Sequence, residues 1–242
     1  MRLMKRILSA AAVLALSASL LVGCSSGTAS SVPVSASSAA ESTVSSVEET
    51  ASSAVDENEA AAAQLLNDLT GSYQELWPVI LADEYKQTWL DDCTALVGED
   101  NAEAAFEKLS SMVTGDVYGE DAVKAYANGG GAYFCGFTNS LATLTFDGET
   151  STISGTDKDG NVLFSHTYHY IGMEPVHGLY EFESDDADSG EFTYFFLAPD
   201  TSAETYHIEF RYGSDAETLS QYDAGEYAYW VASGISTDCD RL

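Results

Sequence analysis

Positive charge is scarce in this sequence: 9 Lys and Arg stand against 39 Asp and Glu in 242 residues. Binding nucleic acid requires a cationic surface to neutralise phosphates, so nucleic acid is excluded as a partner. Cysteine is scarce as well. Cys24, Cys93, Cys135 and Cys239 form no Cys-x-x-Cys pair, which removes zinc-ribbon and thioredoxin-like readings. The chain has no His-Glu-x-x-His, no Gly-x-Ser-x-Gly and no phosphate loop. Gly129-Gly130-Gly131 precedes a strand pattern, not a helix, and so lacks the geometry of a phosphate cradle. These absences point to a binding module and away from an enzyme. The uncharged run Ile7 to Val22 is also shorter than the ~20 residues a membrane-spanning helix needs.

What that run does fit is an export signal. Arg2, Lys5 and Arg6 form a basic start without an acid, and the apolar run ends in Leu21-Val22-Gly23-Cys24. The ending resembles the bacterial lipobox, which implies cleavage before Cys24 and diacylglycerol attachment to its thiol. Residues 25–58 are mostly Ser, Ala, Thr, Val and Glu, with no aromatic residue and Pro33 as the sole proline. Such a stretch cannot bury enough apolar surface to offset ordering entropy, so a disordered tether is expected. Two acyl chains at ~0.8 kcal/mol per CH₂ make a stable anchor. The expected organisation is therefore a lipoprotein signal peptide at 1–23, a tether at 24–58 and one domain at 59–242. The expected location is the outer face of the bacterial cytoplasmic membrane, with the membrane itself a partner through lipidated Cys24. Removal of the signal leaves 6 cations against 39 acids, a net charge of −33. This acidity suits solubility outside the cell and attraction of cations. Three cysteines remain, and an oxidising compartment leaves open one disulfide among them.

Within the domain the apolar period changes once. From 59 to 127 it is helical: Tyr73, Leu76, Trp77, Ile80 and Leu81 share a stripe, with Pro78 predicting a kink or a restart. Trp89, Cys93, Leu96 and Val97 form a second run, followed by Asn101 to Met112 and Gly115 to Ala127. Beyond the three glycines the period is two. Ala132–Thr138, Ala142–Phe146, Ser151–Gly155, Val162–Ile171, Leu179–Glu183, Phe192–Leu197 and Tyr206–Tyr212 alternate between turns such as Asp147-Gly148 and Asp159-Gly160. Seven close strands without intervening helices predict an antiparallel barrel or sandwich, and 216–232 reads as a last helical piece. The fold class is α+β, helices first and barrel second. The tyrosines suit half-buried strands and fill the barrel.

The second half carries a resemblance. Gly71-Ser72-Tyr73-Gln74-Glu75-Leu76-Trp77-Pro78 resembles the Gly-x-Trp-x-x-x-Tyr-Pro helix opening the ZinT/AdcA (YodA-like) zinc-binding domain, and Tyr168-His169-Tyr170-Ile171-Gly172 resembles its Tyr-x-Tyr-x-Gly strand. Tyr180 to Glu183, Gly190 to Phe195, Tyr206 to Asp215 and Asp223 to Trp230 follow in the family's order. The resemblance implies an N-terminal helical part and an antiparallel lipocalin-like (calycin) barrel. It also implies zinc as cofactor, a divalent metal ion as partner, and service to a zinc ABC uptake system.

The family's zinc site is three histidines, one in a Ser-Asp-His turn and two in a His-x-His strand. Here His207 matches the second strand position, Thr205 stands at the first, and the turn reads Ala198-Pro199-Asp200. Asp200 offers a carboxylate at a zinc–oxygen distance of ~2.0–2.2 Å. In an extended strand Glu209 shares a face with His207. His169 or His166 is the strand histidine that completes a set, and since the two face opposite ways only one looks into a barrel. The candidate ligands are thus His207, Asp200, Glu209 and His169. Two other readings stand beside this one. His207 is a hydrogen-bonded strand residue beside a surface network of Glu209 and Arg211, or the barrel has lost the metal site and is a lipocalin-like carrier of a small ligand or a surface interaction domain. His177, after Pro175, reads as an exposed loop residue.

Overall fold

The structure is a computed structural model, and it describes residues 57–115, 117–131, 133–199 and 207–239. The signal, Cys24 and the tether up to residue 56 lie outside the described residues, as do Asp200 and Thr205. Helix α1 covers 57–68, and Ala62, Leu65, Leu66 and Leu69 form its buried face at i, i+3, i+4 and i+7. Next come strand β1 (Gly71–Glu75), the short helix α2 (Leu76–Ile80), a 3₁₀ turn at Asp83–Tyr85, and helices α3 (Lys86–Val97), α4 (Glu99–Val113) and α5 (Glu120–Ala127). The remaining strands are β2 (Thr143–Asp147), β3 (Thr152–Thr156), β4 (Val162–Met173), β5 (Tyr180–Ser184), β6 (Tyr194–Leu197), β7 (His207–Gly213) and β8 (Ala232–Ser236), with helix α6 (Ala216–Leu219) between the last two.

The eight strands form one closed barrel in chain order, each antiparallel to the next. Closure comes from Tyr73 opposite Ser236 and Glu75 opposite Gly234. The α+β reading with a lipocalin-like barrel holds, but the closing strands are not the expected ones. Gly71–Glu75 is a strand and not part of a helix, and Ala232–Ser236, beginning where the expected last helical piece ends, is a further strand that was not expected. Pro78 sits in the first turn of α2, where its missing N–H has no helical acceptor to lose. Over its described residues, 133–138, the expected strand at 132–138 is instead an irregular segment that bridges to Thr114 and Trp230 through Phe134. Its Phe137 packs against Phe210, Glu75 Oε1 accepts from Phe137 N at 2.6 Å, and Trp230 Nε1 donates to Gly136 O at 2.9 Å. The helical piece at 216–232 shrinks to four residues, capped where Asp215 Oδ1 accepts from Thr218 N at 2.7 Å.

Side chains alternate across the wall. The inner face carries rings from six strands, among them Tyr73, Phe146, Tyr168, Phe182, Phe195 and Tyr212, in one buried cluster. The outer face is largely exposed along β4 but covered over β7 and β8, where Leu76, Trp77, Ile80, Trp89, Cys135 and Val231 form a second core against Ile235. Within α3, Trp89 and Cys93 join that core, whereas Leu96, 70% exposed, and Val97 do not. No described helix is long and apolar enough to cross a membrane. Cys93, Cys135 and Cys239 are free thiols.

Candidate metal site

Strand β7 is buried on both faces. Ile208, Phe210 and Tyr212 point into the barrel core, and His207, Glu209 and Arg211 occupy the opposite, outer face beneath the second core. The shared face expected for His207 and Glu209 is therefore present. His207 Nε2 lies 3.8 Å from Glu209 Oε1, and His207 is only 4% exposed. That separation is too long for a hydrogen bond. It is close to the ~3.4 Å span of two ligands on one tetrahedral ion with bonds of ~2.1 Å. One imidazole and one carboxylate suit zinc chemically.

Opposite this pair on β8 stand Ile235 and Ser233. Ser233 N donates to Cys135 O at 3.0 Å, which draws the 133–136 segment against the same face. Burial, and next the Glu209 carboxylate, push the Cys135 thiol up to about 12. Sequence reasoning missed this neighbour, because nothing local to Cys135 signals that its segment lies against β7. As a protonated thiol it must lose its proton before it can ligate.

The other histidines are not part of this face. His169 lies on the outer face of β4, with Nδ1 2.8 Å from Asp185 Oδ1 and Nε2 4.0 Å from Glu183 Oε2. β5 and β6 separate β4 from β7. Three strand spacings of ~4.8 Å are about 14 Å, and outward side chains on a curved wall diverge, so His169 and His207 do not meet on one ion. His166 is the histidine that looks inward, stacked on Phe164 and with Nδ1 2.7 Å from Asp186 Oδ2. His177 is an exposed loop residue as expected, with Nδ1 3.2 Å from the buried Glu174 Oε2 and its ring beside Tyr222. Among the described residues, no three His, Cys, Asp or Glu side chains converge as a metal site. Asp200 lies outside the described residues.

Arg211 also departs from expectation. It is 3% exposed and belongs to no surface network with Glu209. Its guanidinium donates to the carbonyls of Leu219, Gln221 and Tyr227 and stands over the Tyr222 ring. Burial pushes it down to about 10.

Neither a family model nor a curated protein matches the sequence. Among solved structures the chain is similar to a ZinT-like domain. That domain, Zn(II)-bound and from AdcA of Streptococcus pneumoniae, is matched at 18% identity and a TM-score of 0.44, over 72% of this chain and 84% of the domain. Zn(II)-bound AdcA itself is matched at 17% identity and a TM-score of 0.44, over 72% of this chain. The chain spans 33% of the length of AdcA.

Proposed function

We propose that this protein is a membrane-anchored, extracytoplasmic zinc-binding module that captures zinc and assists its uptake. The observation that carries the proposal is the His207–Glu209 pair, an imidazole nitrogen and a carboxylate oxygen 3.8 Å apart on one face of β7. His207 stands at the second of the two positions where the sequence resemblance implies strand ligands. In the proposal Asp200 supplies a further carboxylate and water completes the coordination. Cys24 carries the lipid, and a zinc uptake system receives the ion. A small-molecule carrier needs free volume inside its barrel, and here packed aromatic rings occupy the interior.

Zinc titrated calorimetrically into the chelator-stripped full chain tests the metal. The expected result is saturable binding at micromolar zinc or tighter, weakened at least tenfold by His207→Ala. Absence of heat, or millimolar binding indifferent to His207→Ala, sinks the proposal. Mass spectrometry of the membrane fraction tests the anchor, which requires a lipid adduct lost in Cys24→Ala.

A further inference from the structure

The geometry points to a second cation site on the outer wall at β4–β6, built from His169 and Glu183 and separate from the His207–Glu209 pair. Strand register aligns His169, Glu183 and Tyr194 across β4, β5 and β6 on one face. Asp185, two residues beyond Glu183, lies close enough to engage the same histidine. Its carboxylate, 2.8 Å from His169 Nδ1, holds that edge of the ring and turns Nε2 toward Glu183. Nε2 faces Glu183 Oε2 at 4.0 Å. The other oxygen of Glu183 accepts from the Tyr194 hydroxyl at 3.1 Å. Each ligand is thus oriented by a partner that does not itself ligate. This carboxylate–histidine–metal arrangement fixes the ring and raises its basicity.

The distance suits an ion. Two ligands of a tetrahedral centre with bonds of ~2.1 Å lie ~3.4 Å apart, so a closure of a few tenths of an ångström brings Nε2 and Oε2 onto one cation. The mixed nitrogen and oxygen set selects a borderline divalent metal such as zinc over calcium or magnesium, which take oxygen ligands. His169 is 53% exposed and Glu183 38%, so the remaining coordination positions open to water. A two-ligand site open to solvent exchanges its ion readily, which suits a place where zinc first arrives. The site does not depend on His207 binding metal.

The test is zinc alone, titrated into the metal-free full chain while the histidine ring resonances are followed by NMR. The expected result is a saturable shift of the His169 ring below millimolar zinc. Asp185→Asn weakens it about 10–100-fold, the usual cost of losing a supporting partner. Glu183→Gln abolishes the shift and His169→Asn the matching share of zinc uptake, and circular dichroism stays unchanged because both side chains reach solvent. The site is overturned by a His169 ring that does not respond up to millimolar zinc, or by a shift that persists unaltered in Glu183→Gln. Zinc binding that survives His169→Asn and vanishes in His207→Ala, with the His169 ring unmoved, overturns this site and leaves the His207 proposal standing. A His169 response with no His207-dependent binding does the reverse.

Discussion

Arg211 clasps part of the outer layer to the barrel through backbone carbonyls. It projects from β7 and donates to three backbone carbonyls, those of Leu219, Gln221 and Tyr227, so one side chain ties α6 and the irregular 220–231 segment to the barrel wall. Burial of the charge is costly, as its lowered pKa reflects. The donated bonds offset that cost, and charged hydrogen bonds contribute roughly 1.5–3 kcal/mol each. Arg211→Met removes the buried charge but strands three carbonyls, and the expected net loss is about 2–4 kcal/mol. Arg211→Lys keeps the charge without the planar fork and should recover only part of it. Urea denaturation of the two variants checks both statements. Equal stability of Arg211→Met and wild type would show that the clasp contributes nothing.

At the scale of elements, the attachment of α1 rests on Gly148, in the turn after β2. A Cβ there would lie 2.4 Å from Asn67 Cα and 2.6 Å from Leu66 O, both backbone atoms, so nothing small can move aside. Gly148 N also donates to Thr70 Oγ1 at 3.0 Å. Gly148→Ala should therefore cost about 1–3 kcal/mol and displace α1 from the barrel end. Hydrogen exchange localises the effect, with faster exchange expected across 57–68 and little change in β4–β7. Uniform exchange throughout would count against it. The Asp147-Gly148 turn was legible in the sequence, but α1 as the reason for its glycine was not, because the contact joins residues as distant in the chain as Asn67 and Gly148. The same limit explains the misread strands. Tyr73, Leu76, Trp77, Ile80 and Leu81 do fit a helical period, yet the first of them belongs to β1 and only pairing with β2 and β8 reveals it. β8 itself, Ala-Ser-Gly-Ile-Ser, has one large side chain and hence almost no alternation to read. The six strands β2–β7 were legible because each alternates or carries branched and aromatic residues. Of the candidate site, alternation gave the common face of His207 and Glu209. It could not say which face of β7 is outside, since both are buried. The partners of His169 depend on a β4–β5 register that shifts between Tyr170 and Gly172.

The whole molecule combines an acidic sequence with buried phenols and thiols that hold their protons, and this sets how it should respond to alkali. Burial pushes Tyr168, Tyr212 and Tyr222 upward, and it is the largest cause for Cys135, which moves from 9.0 to about 12. In each case the folded state binds its proton more tightly than the unfolded chain does. The stability from these groups is therefore complete below the unfolded values, about 8.5 for Cys and about 10 for Tyr, and is lost as pH rises beyond them. The melting temperature should hold steady near neutrality and fall progressively above about pH 9. The tyrosinate absorbance of these three buried rings should appear in step with unfolding and not ahead of it. A second process operates in the same pH range, because repulsion among the surface carboxylates also opposes the compact state. Salt distinguishes the two: it screens charges in solvent but not the proton affinity of a buried ring. Added salt should raise the melting temperature at all pH values and leave the alkaline fall in place. Cys135→Ala should reduce the first part of the fall, to which the buried Cys93 also contributes, while the tyrosine part persists. A melting temperature flat to about pH 11, or an alkaline fall abolished by salt, would mean that the buried protons do not control alkaline stability.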